Sequence, residues 1–150
     1  MEGTEVKSGS PEETHEIAKR LGALLQKGDI VTLSGGLGAG KTHFTKGIAD
    51  ALGVRKIVNS PTFTIIKEYE GRLPLYHMDV YRIDEEEADA LGIEEYLDGD
   101  GVCVIEWAEK ISRLLPEERL AITIDKESET ARMIRIEGAG KRFEEVCKEL

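Results

Sequence analysis

The chain is predicted to fold as an α/β protein, a mixed β-sheet flanked by helices, and three segments carry that expectation. Residues 29–33 form an apolar strand that runs through a glycine-rich stretch into a helix at 43–52. Residues 63–69 and 73–83 flank Glu70-Gly71-Arg72 as an antiparallel hairpin, where a purely parallel, doubly wound sheet would place a helix. Residues 101–105 are continuously apolar, as expected of a strand covered on both faces.

The other elements follow from local chemistry. Residues 1–10 are polar and contain no apolar leader segment. Ser10-Pro11-Glu12-Glu13 supplies an N-cap, a proline at the first helical position and a capping-box glutamate. The helix it opens carries Ile17, Leu21, Leu24 and Leu25 on one face and ends at Gly28. Gly53 closes the 43–52 helix. A short strand is expected at 57–58, before the polar loop Asn59-Ser60-Pro61-Thr62. After the hairpin come an acidic helix at 84–91, a helical turn at 93–97, the 101–105 strand and a short helix at 108–114. Two β runs at 120–124 and 133–136 and a helix at 141–150 complete the chain.

At 150 residues the chain is read as one domain, 1–150, too small to add a substrate domain. Thirty acidic against 20 basic residues give a formal charge of −10, which opposes unassisted binding to nucleic acid phosphates. Cys103 and Cys147 lie far apart with no metal-ligand spacing, so neither a zinc site nor a disulfide framework is indicated. Reduced thiols and the lack of a long apolar run point to a soluble, cytoplasmic protein.

The glycine-rich stretch fits G-x-x-x-x-G-K-[ST] from Gly35 to Thr42, the phosphate-binding P-loop. Polyphosphate needs converging backbone N–H groups, a bridging cation and a hydroxyl for magnesium. Gly35, Gly36, Leu37, Gly38, Ala39 and Gly40 supply the cradle, Lys41 the cation, Thr42 the hydroxyl, and His43 opens the helix whose dipole faces the phosphates. ATP with Mg²⁺ is the expected ligand. The guanine motif N-K-x-D needs an asparagine, and the one asparagine, Asn59, precedes Ser60.

A P-loop also needs an acid at the end of a neighbouring strand, to hold magnesium and orient the attacking nucleophile. Glu106 follows the apolar 102–105 run, and Asp79 lies in a strand whose successive polar residues break simple alternation. Both are candidates for catalysis and for the metal, with Thr42 as a further metal ligand and Lys41 as a catalytic cation. His77 and Arg82 are either phosphate contacts or partners for the acids. Trp107 is a core anchor, a stacking group for the nucleotide or a partner contact. Ser60-Pro61-Thr62 is either a γ-phosphate switch or a plain turn.

Four ordered motifs, GGLGAGKT, SPTF at 60–63, HMDVYR at 77–82 and IEWAE at 105–109, together resemble the TsaE/YjeE family, the bacterial ATPases of tRNA threonylcarbamoyladenosine biosynthesis. The similarity spans about residues 10–140. It implies ATP hydrolysis by a subunit working with the threonylcarbamoyl transferase and its partner protein, which modify adenosine 37 of tRNAs reading codons that begin with A; contact with tRNA is indirect. It also implies that the family's P-loop lysine and threonine are Lys41 and Thr42, its acids Asp79 and Glu106, its tryptophan Trp107 and its switch threonine Thr62. Gly36 departs from the family, which usually has an acid there. Slow turnover alone, stimulated by partners, is expected, because no arginine is placed as a finger. A small-molecule kinase and a nucleotide-gated binding module remain the alternatives; the kinase would need an acceptor pocket and an arginine-rich lid that the chain does not offer.

Overall fold

The computed structural model describes residues 2–36 and 38–150, with Glu2 by its backbone alone. A seven-stranded mixed sheet runs through the molecule in the order β1-β7-β6-β2-β5-β4-β3. Its strands are β1 (Glu2–Ser8), β2 (Ile30–Gly35), β3 (Ile66–Tyr69), β4 (Leu75–Asp79), β5 (Val102–Glu106), β6 (Arg119–Lys126) and β7 (Arg132–Ala139). The central four, β6-β2-β5-β4, are parallel, while β3 pairs antiparallel with β4 and the β7 and β1 ladders are antiparallel too. The mixed sheet and the hairpin after the P-loop unit are those expected from the sequence.

Helices α1 (Pro11–Leu24), α2 (Lys41–Ala51) and α5 (Lys141–Lys148) cover one face. Helices α3 (Glu85–Ala90) and α4 (Ile93–Leu97) and a 3-10 segment, Ala108–Leu114, cover the other. The Ser10 hydroxyl accepts from the Glu13 N–H at 3.1 Å, and the Glu13 carboxylate accepts from the Gly9 N–H at 2.9 Å, which starts α1 where the sequence places it. Two glycines let α1 lie directly on α2: a Cβ on Gly47 would stand 2.5 Å from that of Ala18, and one on Gly22 would stand 2.7 Å from that of Ala51. Phe44, Ile48, Leu21 and Leu52 fill this seam. The P-loop helix is thus packed against α1 on one face of the sheet.

Three local expectations are corrected. Residues 2–8, read as a polar terminus, form edge strand β1 beside β7. Thr4, Val6 and Ser8 turn inwards and Gly3, Glu5 and Lys7 outwards, an alternation hidden because Val6 is its only large apolar member. Residues 57–58 are not a strand; Ile57 is 78 % exposed and the segment runs as loop. The hairpin strands are shorter than expected, beginning at Ile66 and ending at Asp79. The Val80 N–H makes the last ladder bond, to the Glu106 carbonyl, and beyond it the chain turns so that the Tyr81 N–H bonds the Asp79 carboxylate.

Candidate functional site

Sheet register assembles the site. Strand β2 lies between β6 and β5, pairing Leu33 with Glu106, and Glu106 pairs in turn with Asp79 of β4. Both carboxylates therefore stand at the C-terminal edge of adjacent parallel strands, beside the loop that leaves β2. This is where open α/β sheets bind ligands.

The loop is shaped to approach an anion. Gly38 and Gly40 have φ of 78° and 99°, the left-handed region that disfavours side chains. A Cβ on Gly35 would meet the Ile124 carbonyl at 2.7 Å. No side chain caps α2, and its first turn carries no acid, so its positive end faces the loop. Arg132, which no local sequence pattern singles out, fastens the loop from outside. Its guanidinium donates to the Ala39 carbonyl at 2.8 Å and to the Gly38 carbonyl at 3.4 Å. Gly36 has open space where a Cβ would project, so the family's usual acid would fit. Leu37 lies outside the described residues.

Glu106 is 5 % exposed and each of its oxygens has a partner. Oε1 lies 3.8 Å from Lys41 Nζ, and Oε2 accepts from His77 Nε2 at 2.8 Å. Lys41 Nζ also lies 5.3 Å from the centre of the Trp107 ring. Trp107 follows Glu106 with φ 63°, an unusual conformation for a bulky residue, and at 38 % exposure it is a wall of the site rather than a core anchor. His77 is completely buried, which excludes it as a phosphate contact and makes it a partner for an acid.

Among the described residues, the donors to Asp79 are neutral. The Tyr81 N–H reaches Oδ1 at 3.0 Å and the Thr62 hydroxyl reaches Oδ2 at 3.2 Å. Ser60 and Thr62 share a hydrogen bond of 2.6 Å, and Arg82 donates to the Thr62 carbonyl at 2.8 Å. Residues 60–62 are thus tied to Asp79 rather than forming an independent turn, and Arg82 is occupied in tying them. Phe63, Tyr81 and Trp107 border this edge, with Phe63 85 % and Tyr81 54 % exposed.

Across the loop, a cavity of about 230 Å³ is lined by Pro11, Ala39, Gly40, His43, Thr130 and Arg132. His43 is fixed there by its Nε2 contact with the Pro11 carbonyl at 2.9 Å. A wider groove of about 800 Å³ lies at the opposite end of β3 and β4, lined by residues such as Arg55, Glu68 and Glu70 and not by the P-loop, Asp79 or Glu106. Among the described residues no three His, Cys, Asp or Glu side chains group as a metal cage. That donor set suits magnesium brought with phosphate, which needs only one or two protein oxygens, better than a free-standing metal centre.

The site sits in a recognisable family context. The family model described as threonylcarbamoyl adenosine biosynthesis protein TsaE matches residues 8–134. The chain is 56% identical over 142 residues to the tRNA threonylcarbamoyladenosine biosynthesis protein TsaE of Bacillus subtilis, covering 94% of this chain and 89% of that protein. It is 46% identical over 118 residues to the Treponema pallidum protein of the same name, covering 78% and 87% of the two chains. In three dimensions it resembles the crystal structure of Bacillus subtilis YdiB, with TM-score 0.87 and 48% identity over 99% of this chain and 93% of that one. With four motifs, their register at one sheet edge and these matches in agreement, the chain belongs to the TsaE family of tRNA threonylcarbamoyladenosine biosynthesis proteins.

Proposed function

We propose that the chain is a magnesium-dependent ATPase subunit that sustains threonylcarbamoyladenosine formation at position 37 of tRNAs reading codons that begin with A. The observation that carries the reading is Glu106, a buried carboxylate held between Lys41 and His77 on the strand beside the P-loop. Lys41 leaves Glu106 to engage the β and γ phosphates, exchanging one partly buried ion pair for another. The freed Glu106 oxygen then faces the reacting end of ATP, where it orients the attacking water and accepts its proton. Thr42 and Asp79 would hold magnesium, because Asp79 is bound by neutral donors and Glu106 stands beside a cation. When bound, magnesium neutralises charge on the phosphate oxygens. The nucleoside occupies the cavity at His43 and Arg132, on the side of the loop away from the carboxylates.

The chain acts as one P-loop unit in the cytoplasm and reaches tRNA through the threonylcarbamoyl transferase and its partner protein. Its charge of −10 argues against gripping tRNA directly, and the exposed Phe63, Tyr81 and Trp107 offer those proteins an apolar surface at the site. A second reading, nucleotide gating without turnover, is favoured by the tie between Thr62 and Asp79, since a ligand competing for Asp79 would release residues 60–62. Phosphate release from ATP, measured for the chain alone and with the two partner proteins, separates the readings. Hydrolysis stimulated by the partners supports the ATPase, whereas nucleotide binding with no release in either condition supports gating.

A further inference from the structure

We infer that His77 is a positioning residue for the ATPase reaction, setting the orientation of Glu106 once Lys41 has moved to the phosphates; the inference rests on the ATPase reading. His77 sits two residues before Asp79 on β4, so both point to the same face, and its cross-strand neighbours are Lys67 on β3 and Val104 on β5. Around it on that face stand the buried apolar side chains Leu75, Val104 and Tyr69. A fully buried imidazole in such a place is costly unless its polar atoms are satisfied. Only one of them is: Nε2 donates to Glu106 at 2.8 Å, while Nδ1 is the one buried side-chain nitrogen or oxygen among the described residues with no partner. His77 is therefore not a link in a larger polar network. Its single polar contact is with Glu106.

The division of Glu106 between two donors explains why that contact matters. Lys41 holds Oε1 loosely at 3.8 Å and is the partner that ATP draws away. His77 is anchored in the sheet and stays, so Oε2 remains fixed and the direction of Oε1 towards the reacting water is preserved. Without His77, the carboxylate would lose both donors on ATP binding and could rotate about its side-chain torsions. Binding of nucleotide, which depends on the loop and Lys41, does not require His77.

The test compares His77→Leu, His77→Gln and His77→Asn in the full chain with the partner proteins, reading kcat, KM and the dissociation constant of a fluorescent ATP analogue. The glutamine amide reaches about as far as Nε2, and the asparagine amide about as far as Nδ1. We expect His77→Leu to lower kcat by about tenfold to a hundredfold, within the range of a misdirected general base, with nucleotide affinity within about threefold of wild type. His77→Gln should recover most of that loss and His77→Asn should not. In a Glu106→Gln background, His77→Leu should cause no further fall, because the group it orients is already gone. Unchanged kcat in His77→Leu, recovery by asparagine instead of glutamine, or an additive loss with Glu106→Gln would overturn the inference. If His77→Leu does not fold, the glutamine and asparagine pair decides alone. A Glu106→Gln protein as active as wild type would instead remove the ATPase reading beneath it.

Discussion

The two halves of the sheet bury their residues differently. Strands β6 and β7 alternate: Leu120, Ile122 and Ile124 on one, and Ile134 and Ile136 on the other, face the core while Arg135 and Glu137 face solvent. Strands β4 and β5 do not, since Val102–Glu106 is buried throughout and His77, Met78 and Asp79 are buried in succession. The first half contributes stability through apolar area. The second keeps three ionisable side chains, His77, Asp79 and Glu106, out of water at one edge and bonded to other residues of the site, which marks that edge as a place for chemistry. Substitutions in the two halves should therefore fail in different assays.

The largest effect should come from the polar edge. Glu106→Gln retains shape but not basicity, and is expected to lower kcat for ATP hydrolysis by at least about a hundredfold while nucleotide affinity and thermal stability stay near wild type. A comparable fall in affinity would mean that Glu106 belongs to the binding machinery instead. On the other half, Ile134→Ala should cost about 3 kcal/mol of unfolding free energy by denaturant titration, with kcat unchanged where the protein remains folded. Lost turnover in the folded variant would show that the halves are coupled.

Smaller effects sharpen the contrast. Lys41→Met should weaken ATP binding by about tenfold to a hundredfold, the value of a charge-assisted contact, measured by fluorescence titration. Burial pushes the Cys103 thiol up to about 12 from a reference of 9.0. Between those pH values the unfolded chain releases a proton that the folded chain keeps, so stability should fall as pH rises from about 9 to 12. Tyr76 and Tyr96, raised mainly by desolvation and next by Glu68, act in the same direction. Cys103→Ala should flatten that alkaline slope, as read from the pH dependence of denaturant midpoints. Asp125→Ala, which removes a half-exposed 2.7 Å pair with Arg135, should change stability by less than about 1 kcal/mol.

Much of this was legible in the sequence for physical reasons. The P-loop needs particular residues at fixed spacing, so Gly35, Gly40, Lys41 and Thr42 announce it. Glu106 was legible because an unbroken apolar strand delivers it to the ligand edge, and Asp79 because it sits where alternation fails. Strand β1 was not, because its pairing depends on the backbone of β7, more than 100 residues away, and Val6 alone of its inward residues is apolar. Arg132 was hidden for a similar reason: its bonds to Ala39 and Gly38 span 93 and 94 residues and leave no local pattern. His77 was visible as a polar residue in a strand, but only the register with β5 shows which acid it serves.

The proposed function turns on hydrolysis at Glu106, and not nucleotide binding alone, sustaining tRNA modification. The most direct test reconstitutes threonylcarbamoyladenosine formation on tRNA with the transferase and its partner protein, adding either the wild-type chain or Glu106→Gln at saturating ATP. Repeated turnover is expected with wild type, and arrest at or below one modification per complex with the variant. Sustained turnover with Glu106→Gln, at the wild-type rate, would contradict the proposed function.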